Sequence, residues 1–460
     1  MSEKRKKVDI ATRDLVLSND QLEKVVVLLE QEFNEGLKRE TNPIAAVKMF
    51  PTFVRDVPNG REAGKFLALD LGGTNFRVLL IELNGKDFRS DSQIFAVPQH
   101  VMLGSGQQLF DHIAACLQEF MDSRHLNGTR LPLGFTFSFP CRQEGLTKAR
   151  LVQWTKGFAC RGVEGQDVVQ LLRSSISKIG VEIDVMAVVN DTTGTLMSCA
   201  HKNAECRVGV IVGTGTNACY MESADRVELL PSDFSDRSVD PPQVVVNTEW
   251  GAFGDNGVLE FVRTDWDDEV DTYSLNKGRQ LFEKMISGMY MGEMVRSIVA
   301  DLTRRQLLLS GVGSQKLFTP HCFQSAYVSW IESDPNGSFA KTRDAMKEMD
   351  LGHADDDDMA AIQMICERIS TRAAHLVSAA VATILRRMRR EYTVVGVDGS
   401  VYRFHPHFHD LMAKKIAELT PSEFRFDLML SEDGSGRGAA LVAAVAVRQI
   451  ADLRAAGLIE

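Results

Sequence analysis

Two stretches of this chain share one pattern: an apolar run stops at a tight turn containing Gly, Thr and Asn, then resumes. The first is Phe66-Leu-Ala-Leu-Asp-Leu-Gly-Gly-Thr-Asn-Phe-Arg-Val-Leu-Leu-Ile81. The second is Val208-Gly-Val-Ile-Val-Gly-Thr-Gly-Thr-Asn-Ala-Cys-Tyr220. Apolar runs flanking a turn that gathers the polar residues are the signature of a β-hairpin. Two such units in one chain point to two similar half-structures that face each other. At 460 residues the chain exceeds the size at which one core stops growing, so at least two domains are expected.

The segments between and around these hairpins alternate in type. Ser18 to Arg39 reads as an amphipathic helix, with Leu22, Val25, Val26, Leu29, Phe33 and Leu37 at helical spacing behind the capping residues Ser18-Asn19-Asp20. Leu109 to Met121 and Val168 to Ile179 read as helices, Leu133 to Phe139 and Val185 to Val189 as strands. Met359 to Arg390 predicts a long helix that ends in a basic cluster, and Tyr392 to Tyr402 a third strand and turn. Strands alternating with helices indicate an α/β architecture. The Asp355–Asp358 run is expected to be a solvated loop, because it lacks the alternating ligand spacing of a calcium site.

Charge and cysteine usage narrow the function classes. A net charge of -10 argues against binding nucleic acid or an anionic membrane. It does not forbid a phosphate site, which backbone N–H groups and a few cations build locally. The eight cysteines, from Cys116 to Cys366, include no C-x-x-C pair and read as reduced thiols. The charged start, Met1-Ser-Glu-Lys-Arg-Lys-Lys, lacks the apolar core of a signal peptide, and no run is long enough to span a bilayer. A cytoplasmic protein is expected.

The chemistry-bearing residues gather at the turns. No Walker P-loop is present, since Gly60 to Phe66 is one residue short and ends in the wrong side chain. Gly434-Ser-Gly-Arg-Gly438 opens a helix but is followed by no βαβ unit, so it is not a dinucleotide fingerprint. In Asp70-Leu71-Gly72-Gly73-Thr74-Asn75 the glycines let backbone N–H groups approach a phosphate, Thr74 and Asn75 add donors, and Arg77 adds a charge. An ordinary hairpin turn explains the same residues. Gly213-Thr214-Gly215-Thr216-Asn217 is equally ambiguous alone, but two such turns across a cleft would clamp a polyphosphate. Asp191 follows an apolar strand, where it could serve as an acid or base; as a local feature it is equally an N-cap for Thr193 to Ala200. Glu249, Glu283 and Thr155-Lys156 are individually weak candidates for sugar or phosphate contacts. His405, His407 and His409 alternate, yet no partner stands at ligand spacing, and a structural role is expected.

Taken together, the strings resemble one family. Asp70 to Arg77, Leu133 to Pro140, Trp154 to Phe158, Val189 to Asp191 and Asn247 to Gly254 are similar to hexokinase motifs. So are Val212 to Asn217, Val395 to Ser400 and Leu430 to Gly436, and all eight occur in family order over nearly the whole chain. The resemblance implies a two-lobed α/β fold with a central cleft, shared with actin and the Hsp70 ATPase domain and of the ribonuclease H-like kind. It implies a small lobe of residues 64–190 plus 432–460 and a large lobe of residues 1–63 plus 191–431.

It further implies ATP-dependent phosphorylation of a hexose, D-glucose first, with Asp191 as general base and Lys156 beside it. Ser138, Phe139, Thr155, Lys156, Asn190, Asp191, Asn217, Glu249 and Glu283 would contact the sugar. Asp70, Leu71, Gly72, Gly73, Thr74, Asn75, Arg77, Thr214, Gly215, Gly288, Ser325, Ser329, Gly399 and Ser400 would contact ATP. The Ser325–Ser329 segment departs from the Thr-containing form of the family. Mg²⁺ would travel with ATP, with no dedicated metal ligands on the protein. The expected partners are hexose and ATP, with a monomer as the expected state. Competing readings are an ATPase with a protein client and a catalytically silent sugar sensor; sugar-independent hydrolysis would favour the first, an altered base the second.

Overall fold

The computed structural model describes residues 2–72, 75–85, 87–126, 128–154, 157–231, 242–335 and 337–455. In chain order its strands are β1 (Phe50–Pro51), β2 (Ala63–Leu71), β3 (Asn75–Asn84), β4 (Asp87–Ala96), β5 (Leu131–Phe137), β6 (Cys141–Gly145) and β7 (Lys148–Leu151). They continue with β8 (Ile183–Val189), β9 (Cys206–Val212), β10 (Thr216–Ser223), β11 (Gln243–Asn247), β12 (Tyr392–Asp398) and β13 (Arg425–Leu430).

One sheet has the order β4-β3-β2-β5-β8, the other β1-β11-β10-β9-β12-β13, and β6 and β7 form a separate hairpin. Apart from the short β1, the two orders are the same. In each sheet three successive antiparallel strands are extended by two parallel ones. Both Gly-Thr-Asn hairpins, β2–β3 and β9–β10, therefore occupy the same place in equivalent sheets. The inner strands are nearly continuous apolar runs because both faces are covered: Phe66 to Leu69 and Val208, Val210 and Val212 are all buried.

Each sheet's last strand leads into a helix, and the two helices cross over. Asp191–Lys202, which follows β8 of the first sheet, packs on β9, β10 and β12 of the second. Gly434–Ala455, which follows β13 of the second, packs on β2, β5 and β8 of the first. The helices also pack on each other. Small residues make this possible: a Cβ on Gly438 would lie 2.0 Å from the Gly194 carbonyl oxygen, and one on Gly134 would lie 1.9 Å from that of Ala439. One apolar cluster, including Leu67, Phe110, Phe135 and Val169, fills the first sheet's interior. A second, including Val25, Phe33, Val210, Ile298 and Leu376, fills that of the other. A third joins residues of both sheets, such as Ala68 and Val245, through Leu196 and the Ala439–Val445 stripe.

The expected helices form with small shifts at their ends. Ser18 caps Asn19–Leu37 through a reciprocal box with Gln21, and the Leu109 region spans Gly106–Ser123 behind Ser105. Val168–Ile179 has the bounds expected, and the long helix spans Asp356–Met388.

Two expectations are corrected. The acidic run is no solvated loop: Asp355 caps the Asp356–Met388 helix, and Asp358 is buried, bonded to Lys4 and to the Leu309 N–H. Carboxylates suit a helix N-terminus, where orphan N–H groups and the dipole favour negative charge. The cap of the helix expected over Thr193 to Ala200 is Asn190, one residue before the expected Asp191. Asn190 keeps an extended backbone and its Oδ1 accepts the Thr192 N–H at 2.9 Å, so Asp191 is the first helical residue. Its own Oδ1 also accepts that N–H at 2.9 Å.

Candidate active site

The end of β2 and the end of β5 lie side by side because the strands pair in parallel. The Ser138 N–H donates to the Leu71 carbonyl at 3.1 Å, and a Cβ on Gly72 would meet the Ser138 hydroxyl at 3.6 Å. Asp70 and Arg77 pair directly across the β2–β3 hairpin, and the guanidinium reaches Asp70 Oδ2 at 3.0 Å. These residues, with Asn75, Ile94, Ser435 and Asp191, line a cavity of about 310 Å³. The hairpin turn, the β5 end and the Asp191 helix thus open into one space.

Ser435 and Asp433, within the Leu430 to Gly436 string, also belong to the site. The Ser435 hydroxyl donates to Asp70 Oδ2 at 2.6 Å, and Arg77 also pairs with Asp433. Burial disfavours the Arg77 cation, but Asp433 and Asp70 outweigh it and raise its pKa. On the other side, the Gly434 N–H donates to Asp398 Oδ2 at 3.1 Å, while Asp398 Oδ1 accepts from Gly399 N–H at 2.8 Å and from Arg403 at 3.0 Å. The segment before the last helix therefore links the strand end at Asp70 to the strand end at Asp398.

The second group of turns is equally tight. Gly288 N–H donates to the Gly213 carbonyl at 2.7 Å, and Met289 N–H to that of Thr214 at 3.2 Å. Gly399, at φ 114°, abuts Gly213: a Cβ on Gly399 would lie 2.4 Å from the Val212 carbonyl, and one on Gly213 would lie 3.3 Å from the Ser400 nitrogen. Gly213 to Gly215, Gly288 and Gly399-Ser400 are thus one assembly, with Thr214 and Ser400 exposed on it. Ser325 lies at the start of the Ser325–Glu332 helix, where its hydroxyl accepts the Gly292 N–H at 2.9 Å. Ser329 is half-buried on the same helix.

Beside that assembly lies an amide–carboxylate cluster. Asn217 donates to Asn247 Oδ1 at 2.8 Å and to Glu249 Oε1 at 3.2 Å, and Asn247 donates to the same Glu249 oxygen at 2.7 Å. Asn217 Oδ1 accepts the Glu249 N–H at 3.0 Å. Glu283 Oε2 accepts the Thr216 N–H at 2.9 Å, fitting against Gly215, where a Cβ would come within 2.6 Å of that oxygen. Asn247 and Gln280 belong to this cluster and were not assigned roles from sequence. The Gln280 side chain occupies the space in which a Cβ on Gly251 would sit, 2.3 Å from Gln280 Oε1.

Phe139 is buried in the first sheet's apolar cluster. Its ring packs on Trp154 at 4.9 Å and Phe158 at 5.1 Å, which stack on each other at 5.4 Å. Gly73, Thr74, Thr155 and Lys156 lie outside the described residues. β6 packs on β1, which pairs with β11 at Asn247, and burial pushes the Cys141 thiol up with the Glu249 charge adding to it. Burial likewise pushes the Cys219 thiol up to about 12, with Asp191 contributing.

The three alternating histidines each bond within the chain. The His405 Nε2 lies 3.2 Å from Glu332 Oε1 in the interior, His407 bonds the Glu332 carbonyl at 3.2 Å, and His409 Nδ1 is 2.6 Å from the Tyr402 hydroxyl. Among the described residues, no group of three or more His, Cys, Asp or Glu side chains gathers as a metal site.

Two hexokinase family models match the chain, one over residues 7–201 and one over residues 207–445. The chain belongs to the hexokinase family. Its fold is that of solved hexokinases. A Schistosoma mansoni hexokinase in complex with glucose is 43% identical over 96% of this chain and 99% of that one, with a TM-score of 0.88. A second hexokinase crystal structure is 30% identical at the same coverage, with a TM-score of 0.82. Human Hexokinase-2 is 46% identical over 453 residues, 96% of this chain and 48% of that protein. Mouse Hexokinase HKDC1 is 45% identical over 451 residues, again 48% of its length. The chain spans about half the length of these curated relatives. Among the described residues, no helix is long and apolar enough to cross a membrane.

Proposed function

We propose that this hexokinase family member transfers the γ-phosphoryl group of ATP to a hexose hydroxyl, converting D-glucose to glucose 6-phosphate as the opening step of glycolysis. The observation that carries the reading is the cavity of about 310 Å³ in which Asp191 shares a wall with Asp70, Gly72, Asn75, Arg77 and Ser138. It brings a candidate base and a candidate phosphate turn to one place. The glucose bound by the 43% identical Schistosoma enzyme supports glucose as the sugar.

Phosphoryl transfer depends on positioning and on charge stabilisation. Asn217, Glu249 and Glu283, with Ser138, Phe139, Thr155 and Asn190, hold the hexose so that its primary hydroxyl faces Asp191. Asp191 takes the hydroxyl proton as the oxygen bonds to the γ-phosphorus and the bond to the departing ADP oxygen breaks. Lys156 and Arg77 offset the charge on the moving group. The paired glycine turns, Asp70 to Asn75 and Gly213 to Gly215 with Gly288 and Gly399-Ser400, suit a polyphosphate because glycines let backbone N–H groups reach it. Ser325 and Ser329 would stand at the edge of that site. Asp70 and Asp398, already hydrogen-bonded, suit a hydrated Mg²⁺ delivered by the nucleotide, which would neutralise phosphate charge.

The lobes, 64–190 plus 432–460 and 1–63 plus 191–431, would close on the sugar and exclude water as a competing acceptor. We further propose a cytoplasmic monomer with no nucleic-acid or membrane partner, a reading the net charge of -10 supports. A coupled assay of ATP-dependent glucose 6-phosphate formation tests the activity. Asp191→Ala should lower kcat by about 10²–10⁴-fold. Near-normal turnover at saturating ATP and glucose would remove Asp191 from the mechanism.

A further inference from the structure

We propose that Asp255 is a positioning residue for hexose recognition, its carboxylate clamping residues 280–281 so that Glu283 faces Glu249 in the right geometry. The inference rests on the sugar-kinase reading above and deepens it.

Glu249 and Glu283 lie on separate short elements, each preceded by or beginning at a strained residue. Glu249 itself has φ 55° and precedes the turn Trp250–Ala252, while Gln280 has φ 57° and precedes the helix Leu281–Ile286. A non-glycine residue at positive φ is strained and persists only where its surroundings over-determine it. The source of that constraint is visible at Asp255. One carboxylate oxygen, Oδ2, accepts the Gln280 N–H at 3.0 Å, and the other, Oδ1, accepts the Leu281 N–H at 2.9 Å. Both oxygens are committed to backbone, so Asp255 acts on the sugar through the 280–283 segment.

The opposite side of the same loop is shaped to receive that segment. Gly251 presents no side chain, and a Cβ there would lie 2.3 Å from Gln280 Oε1 and 3.4 Å from the Glu283 Cβ. Residues 251–255 therefore hold residues 280–283 from two sides. Glu283 then reaches Thr216 N–H at 2.9 Å, one residue from Asn217, which bonds Glu249. Burial raises the Asp255 carboxyl pKa against the opposing pull of the two N–H donors, Arg279 and Lys284. A half-buried carboxylate of this kind is retained for the two bonds it accepts.

The test compares Asp255→Ala and Asp255→Asn with wild type, measuring glucose binding by calorimetry and KM for glucose and ATP by coupled assay. Loss of the clamp should raise the glucose Kd and KM about ten-fold or more while the ATP KM stays within about two-fold. Asp255→Asn keeps one acceptor oxygen and should recover part of the loss; it decides the matter if the alanine variant does not fold. An unchanged glucose KM in either variant, or an equal rise in glucose and ATP KM accompanied by a fall in Tm, overturns the clamp alone. A wild-type protein that neither binds nor phosphorylates a hexose overturns the kinase reading and the clamp with it.

Discussion

Replacing Gly438 by alanine should separate the two crossing helices and disable the site from a position that touches no substrate. The added Cβ would lie 2.0, 2.2 and 2.3 Å from the oxygen, Cα and carbonyl carbon of Gly194. All three are backbone atoms, so no rotamer change relieves the overlap. Restoring ordinary carbon contact requires at least about 1.2 Å of separation. Overpacking of this kind costs about 1–3 kcal/mol, set against about 1 kcal/mol that alanine gains over glycine inside a helix. With backbone atoms on the far side the cost lies at the upper end of that range, leaving a net loss of about 2 kcal/mol.

The matched control is Gly436→Ala on the same helix. Its Cβ would meet the methyl ends of Leu79 at 2.9 and 3.1 Å and Arg77 Nη2 at 3.3 Å, which are side-chain tips and not backbone. There the helix gain and the clash should nearly cancel. The functional effect at Gly438 should exceed the stability effect, because Gly194 lies three residues along the helix that Asp191 begins. A displacement of about 1 Å at reacting groups can cost about 10²-fold in rate. Urea unfolding and kcat measured on both variants check this. Equal stability and equal kcat in the two would refute the claim that backbone contact at Gly194 sets the position of Asp191.

Glu249→Ala and Glu283→Ala should each raise the glucose KM by at least about ten-fold with little change in ATP KM, and equal loss of both would undo their assignment. Burial, with Lys415 and Lys414 adding to it, lowers the pKa of His375 from 6.5 to about 4. The unfolded chain then binds the extra proton between those values, so stability should fall as pH drops through that window. After allowance for partial exposure, the loss should be about 1–2 kcal/mol, and His375→Gln should flatten the pH dependence of the urea midpoint between pH 7 and pH 4.5.

What the sequence determined alone was local, and what it resolved by resemblance was collective. Periodicity placed Asn19–Leu37 and Val168–Ile179, because which face of a helix is apolar is written within two turns. The two Gly-Thr-Asn hairpins were legible for the same reason, and the sheets that carry them do share one strand order. Caps were harder: at Asn190-Asp191-Thr192 and at Asp355–Asp358 several adjacent residues have capping oxygens, and only the backbone path selects among them. Asp191 in isolation could not be told from a capping residue. The tertiary structure adds that its helix begins at a cavity shared with Asp70 and Ser138, which supports the proposed role as base.

The pairings across long sequence separations belong to the tertiary structure. Ser435 meets Asp70 across 365 residues, and Asp255 meets Gln280 and Leu281 beside Gly251, whose missing side chain leaves room for that of Gln280. Nothing in the flanking residues encodes such contacts. They follow from two helices exchanging sheets and crossing at glycines, where a backbone oxygen takes the space that any side chain would fill.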